Sequence, residues 1–352
     1  MKKFIVIPTG YMGSGSSAVT DFLSEFSDIN VKNGSFEYVF LHCPNGLFDL
    51  EDKLIWGNNA LRSDEAIHSF RNQMKFLFDK KNFWAGSYKK YISKRFMTFV
   101  EEFIEEITTV KMSSVYWYYQ QMPINIRMQL KCYFQRFIKK VSSNRINISS
   151  PVLYNTIEAA IPTHEEFYKA SKKFIEKIID ALSDDSSYMV LDQFILPHNL
   201  YRFDRYFDSN YKVIVVQRDP RDVFFLNKYI WTPNGNPVPY PLDVNDFCIF
   251  YKKMRENEVL FSSNNILRIC FEDLVYKYDI TSQVIISFLD ISDSYHVDKK
   301  KFFNPSLSIN NTQMFKRLRN IENEVEVIEK ELKDYLYNFP EEVFLKNSEN
   351  FF

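Results

Sequence analysis

The chain has 352 residues, a hydrophobic fraction of 45 %, a charged fraction of 25 % and a net charge of −1. That is globular composition, long enough for one large α/β domain with insertions or for two domains. The overall charge argues neither for nor against an anionic partner. The four cysteines (Cys43, Cys132, Cys248, Cys270) lack metal spacing, and the five histidines form no H-E-x-x-H-like cluster, so no metal site is expected. No run approaches the roughly 20 apolar residues of a transmembrane helix, and the apolar run after Met-Lys-Lys ends at Pro8. The expectation is a cytoplasmic protein with reduced thiols.

The first element is a short apolar strand, Phe4–Ile7, entering a glycine- and serine-rich turn, Gly10-Tyr-Met-Gly-Ser-Gly-Ser-Ser17. Ser16 and Ser17 open a helix carrying Val19, Phe22, Leu23 and Phe26 on its apolar face. Backbone amides in such a turn suit phosphate or sulfate, so Gly10, Gly13, Ser14, Gly15, Ser16 and Ser17 are candidate anion ligands. The turn nearly matches G-x-x-x-x-G-K-[ST], except that the lysine position is Ser16. No Lys or Arg lies between Lys3 and Lys32. The missing charge weakens an ordinary ATP or GTP site.

Phe36–Leu41 reads as a second strand, with Glu37 on it and His42 in the turn that follows. Residues 50–185 read as a helical insertion within a single domain spanning 1–352. Its clearest helices are expected around Phe96–Ile107 and over Ile126–Val141. Residues 80–146 carry thirteen Lys/Arg against four Glu, interleaved with Tyr116-Trp-Tyr-Tyr119. That composition fits a cap for an anionic or glycan acceptor, a surface resting on an acidic membrane, or an amphipathic bundle with a solvated lysine face.

Tyr188–Asp192 is the next predicted strand, ending in a carboxylate, followed by Gln193 and Pro197-His198. Lys212–Gln217 is the clearest strand, running into Arg218-Asp-Pro-Arg-Asp-Val223. A polar turn at that end of a parallel strand is where doubly wound sheets bind ligands. Arg218 offers a planar fork for phosphate, while Asp219 and Pro220 cap the next helix. Arg218 and Arg221 also have acidic neighbours, Asp219 and Asp222, for a helix-start ion pair. Further on are a turn-rich loop (Trp231–Pro241), a helix (Asp246–Glu258), a strand (Ile266–Cys270) followed by Phe271-Glu-Asp-Leu274, and a helix (Thr281–Leu289). A polar loop (Ser306–Lys316) and an acidic helix (Ile321–Tyr337) complete the expected elements.

Three landmarks in this order, the glycine/serine loop, the strand into Arg-Asp-Pro-Arg-Asp-Val and Ile-Cys-Phe-Glu-Asp-Leu, resemble the sulfotransferase family that uses 3′-phosphoadenosine-5′-phosphosulfate (PAPS). The segment Asn310-Asn-Thr-Gln-Met-Phe-Lys316 is similar to the loop that closes over the donor in that family. The bacterial carbohydrate-type members are the nearest in kind. The resemblance implies a three-layer α/β P-loop-like fold with a mostly parallel central sheet. It implies that the first loop holds the phosphosulfate and Arg218 the 3′-phosphate. It also implies PAPS as sulfuryl donor and no metal. The aromatic and basic helical section suits a glycan or lipid-linked glycan acceptor better than a small phenol, and nucleic acid, without an accompanying motif, ranks last. Departures are equally visible. Gly13 stands where the family's loop carries Arg or Lys, and Leu226 stands where a Ser is usual. Asn227 is the adjacent substitute and Lys316 a candidate replacement cation. Gln193 and Ile195 occupy the family's Lys and His positions. The candidate bases by position are Glu37, Asp192, His198 and His42, with Glu37, then Asp192, then His198 preferred. Two other readings stay open: a P-loop kinase using Mg-ATP, with Asp192 as its magnesium residue, and a non-catalytic nucleotide-binding module.

Overall fold

Seven strands occur among the described residues: β1 (Phe4–Gly10), β2 (Ile29–Asn30), β3 (Val110–Ser113), β4 (Thr156–Ala159), β5 (Tyr188–Val190), β6 (Tyr211–Gln217) and β7 (Ile266–Cys270). The computed structural model describes residues 3–31, 33–34, 36–79, 85–113, 126–143, 145–146, 156–318 and 320–340. The chain divides into two compact units, Met1–Val39 with Ser183–Phe352, and Phe40–Leu182.

The first unit is an α/β sheet of five parallel strands in the order β2-β5-β1-β6-β7. β1 is central because Ile5, Val6 and Ile7 alternate between two covered faces and are all buried. On one face Val6, Ile214 and Val216 pack against Val19, Phe22 and Phe26, joined by Ile285 and Leu289 from the Tyr278–Leu289 helix. Strand neighbours reverse direction of travel at β1, which lies between β5 and β6. The loops leaving β1, β5, β6 and β7 therefore emerge together at the carboxyl edge, where open parallel sheets form their ligand crevice.

The predicted strand at Phe36–Leu41 is not one. The place beside β5 is taken by β2, whose Ile29 and Asn30 pair with Tyr188 and Met189. Residues 36–39 run irregularly past it, tied to the chain beyond β5 by the bond from Tyr38 N to Asp192 O (3.1 Å). The expected polar loop at Ser306–Lys316 is instead wound into short turns, Pro305–Ser308, Ile309–Asn311 and Met314–Arg317. The acidic helix stops at Glu331 rather than Tyr337, because the Tyr337 amide is drawn out to the Asp219 carboxylate (2.9 Å).

The second unit is mainly helical. Phe96–Ile107 buries Phe96, Phe99, Val100, Phe103, Ile104 and Ile107 at helical spacing, as predicted. Phe103 stacks on Phe174 of the His164–Leu182 helix at 5.2 Å between centroids. β3 and β4 form an antiparallel pair. His42 belongs to this unit, and Tyr116–Tyr119 lies outside the described residues. Ile126–Val141 is a helix, as its periodicity predicts.

Candidate active site

The glycine loop leaves β1 under steric constraints that explain its composition. A Cβ on Gly10 would lie 2.1 Å from Ser14 Oγ and 2.6 Å from the Val216 carbonyl oxygen, so only glycine fits against β6. Gly13 and Gly15 take φ of 79° and 82°, with Trp231 and Phe271 packed against them. The Tyr240 hydroxyl donates to the Met12 carbonyl (3.0 Å), and Gln193 Nε2 donates to Ser16 Oγ (2.9 Å). Gln193, at positive φ, also accepts from Thr9 Oγ1 (3.0 Å). It thus stands directly behind the loop, in the position where the family resemblance led one to look for lysine. Ser16 and Ser14 are buried, and Ser17 is exposed.

Arg218 sits one residue beyond β6 and faces this loop. Its Nη1 donates to the Gly13 carbonyl (3.0 Å), its Nη2 to the Asn311 carbonyl, and its guanidinium lies 4.9 Å from the centre of the Phe271 ring. The rest of the motif is committed to architecture. Asp219 caps the Pro220–Phe225 helix through the Arg221 amide (2.9 Å) and pairs with the Arg221 guanidinium (2.7 Å). Arg221 continues to Glu329 (2.6 Å) and lies over Phe315. Asp222 is fully buried and accepts from the Gln313 amide (2.8 Å) and the Met314 amide (2.7 Å). Burial pushes its carboxyl up to about 7, against the pull of Arg218. Glu272, just past β7, accepts from the Asp219 amide (2.9 Å), and burial raises it to about 8. One arginine is thus presented while its neighbours fasten the turn to Gln313 and Met314, to Glu329 and to Tyr337.

The candidate bases separate. Asp192 is buried behind the loop and is raised to about 8, first by burial and then by the charge of Glu37. Glu37 is half-buried and also raised by burial. These two carboxyls form an interacting pair beside the Ser17–Leu23 helix, whose Asp21 adds a further negative charge. His198 packs instead against the loop's own Tyr11: its ring is edge-on to that side chain and its Nε2 is 3.3 Å from the Met254 carbonyl. Tyr11 donates to the buried Glu258, which also takes Arg268 Nη2 (2.8 Å).

Two expected phosphate ligands have other placements. Asn227 is fully buried, its Nδ2 donating to the Tyr240 carbonyl (3.0 Å) and its Oδ1 accepting from the Tyr240 amide (3.3 Å). It holds the Trp231–Pro241 loop through these two bonds to the Tyr240 backbone. Asn227→Ala is expected to lower stability by about 1–3 kcal/mol through two orphaned backbone groups. Nucleotide affinity should change less than threefold, about 0.6 kcal/mol; paired melting curves and titrations check both. Lys316 is exposed, whereas its neighbour Arg317 is desolvated beside Asp222 and Tyr276, with its guanidinium held below the usual arginine range by burial.

No family model and no curated protein matches the chain in sequence. Among solved structures it is similar to a sulfotransferase domain from the curacin biosynthetic pathway, at 12 % identity and a TM-score of 0.40, over 97 % of this chain and 99 % of that one. It is also similar to a sulfotransferase domain from the Synechococcus PCC 7002 olefin synthase, at 11 % identity and a TM-score of 0.36, over 96 % and 94 % of the two chains.

Proposed function

We propose that this chain is a sulfotransferase that takes PAPS as donor and a hydroxyl or amine of a glycan or lipid-linked glycan as acceptor. The observation that carries the reading is the Arg218–Gly13 contact (3.0 Å), in which a guanidinium leaving β6 meets a glycine loop leaving the adjacent β1. A donor with anionic groups at both ends of its adenosine needs two such neighbouring sites, and a nucleotide loop alone does not account for the arginine turn. Ser14 Oγ and Arg218 Nε are buried and, among the described residues, have no hydrogen-bond partner, so each has an unmet bond directed to this region.

PAPS supplies a sulfuryl group carried on a phosphate leaving group. The loop amides with Ser14, Ser16 and Ser17 would hold the phosphosulfate end, and Arg218 the 3′-phosphate by a charge-assisted fork. Arg317 and Lys316 are the cations available near the closing turns. Glu37 is the base of choice. It is more accessible than Asp192, and its charge is the second cause of the raised Asp192 carboxyl. The acceptor's proton passes to Glu37 as the new O–S bond forms and the S–O bond to phosphate breaks. The acceptor class rests on the basic and aromatic composition of residues 80–146.

Calorimetric titration with adenosine-3′,5′-bisphosphate tests the reading. Binding without metal at about micromolar Kd, some 8 kcal/mol, is expected. Preference for Mg-ATP would replace it by the kinase reading, with Asp192 at the metal. Binding of neither nucleotide would leave a module without a donor.

A further inference from the structure

The helix Ile126–Val141 turns an apolar stripe to solvent. Ile126, Leu130, Tyr133, Phe134, Phe137 and Val141 recur at helical spacing and are 61–74 % exposed. They cover an arc of about 100°, the width a surface helix normally buries. The half-buried Cys132 and Gln135 lie on the opposite side, with the half-buried Ile138 beside one edge of the stripe. So many large apolar side chains on one exposed face mark a binding surface.

Charge identifies the occupant. The helix carries Arg127, Lys131, Arg136, Lys139 and Lys140 and no Asp or Glu. On a helical projection Arg127 and Lys131 border one edge of the stripe, and Arg136 and Lys140 border the other. Aromatic and aliphatic groups in the middle with long cations on both flanks fit a helix lying in the plane of a bilayer, its cations reaching lipid phosphates. No helix among the described residues is long and apolar enough to cross a membrane. We propose that Ile126–Val141 is an interfacial anchor that docks this protein on bilayers rich in anionic phospholipid. The proposal stands independently of the donor reading.

The test is vesicle flotation of the full chain with phosphatidylcholine alone and with about one-third phosphatidylglycerol. The expected result is co-flotation with the anionic vesicles, weakened by salt. The pair Phe134→Glu/Phe137→Glu and the pair Lys131→Glu/Arg136→Glu should each reduce bound protein at least about tenfold. All four side chains are exposed, so an unchanged melting curve is expected and separates lost docking from lost folding. Absence of flotation with anionic vesicles overturns the proposal, as does equal capture by neutral ones. Concentration-dependent dimers in light scattering, abolished by the Phe134→Glu/Phe137→Glu pair and unaccompanied by flotation, would assign the face to a second copy instead.

Discussion

Arg218→Ala is expected to weaken adenosine-3′,5′-bisphosphate binding by at least about 100-fold, some 2.7 kcal/mol. The guanidinium is buried, spans two carbonyls from separate segments and is stacked on Phe271. A phosphate placed on it would be held by parallel N–H donors in a desolvated setting, where charge-assisted bonds are strongest. Arg218→Lys keeps the charge but loses the fork, and should recover only part of the affinity. Alanine also breaks the link between Gly13 and Asn311, so a melting curve must accompany the titration. An affinity that survives alanine substitution in a folded variant would remove Arg218 from the donor site, and the two-anion argument with it.

The second large effect concerns the carboxyl pair, whose members should respond oppositely to amide substitution. Glu37→Gln removes the proposed base, and hydrolysis of PAPS (transfer to water, measurable without the acceptor) should fall about 10²–10⁴-fold. Asp192→Asn replaces an acid that is already neutral at pH 7 by a neutral isostere, and should leave that rate within a few-fold. It should, however, change the pH dependence of stability. Asp192 is held protonated up to about 8 in the folded chain, whereas an unfolded chain releases that proton near 4. Between those limits the native state holds a proton that the unfolded state lacks, so stability falls as pH rises through the window. Asn cannot ionise. The variant should therefore match the wild type near pH 4 and exceed it at pH 8 by a few kcal/mol, since each pH step of one across the window changes the balance by about 1.4 kcal/mol. Denaturant melts across that range decide it. A gap that widens toward acid would mean that the carboxylate form is the stabilised one. In Glu37→Gln the loss of stability should end at lower pH, because the second cause of the raised Asp192 carboxyl is gone.

The sheet was legible because its strands are buried on both sides. Val213-Ile-Val-Val216 and Ile5-Val-Ile7 are apolar runs with no competing period. The Phe96–Ile107 and Ile126–Val141 helices were legible from apolar residues at three- and four-residue steps. Phe36–Leu41 has the same local hydrophobicity as a strand. What denies it strand pairing is that Ile29–Asn30, only two residues long, holds the adjoining place, and no local pattern reveals that competition. At the site, the glycine loop and Arg218 stood out because their chemistry is written in consecutive residues. Asp222, Glu272 and Gln193 did not, since their partners are the Gln313 and Met314 amides, the Asp219 amide and the Ser16 hydroxyl. Those contacts span 53 to 177 positions, and spacing rules carry no information at that range. Nor did the bonds of Asn227 to the Tyr240 backbone, thirteen positions away, stand out.

Arg218 does not wait in water for its ligand; it is already engaged by the Gly13 and Asn311 carbonyls. A phosphate that claims the fork must evict two tethered acceptors, and a departing product gives them back. If Arg218 is the proposed phosphate site, the chain carries its own competitive inhibitor at fixed local concentration, independent of dilution. Such internal competition lowers apparent affinity while hastening product escape, which is where turnover in many transferases is limited. On that reading a bound phosphate would also be felt at once by the Ile309–Asn311 turn, whose Asn311 carbonyl would lose its Arg218 partner.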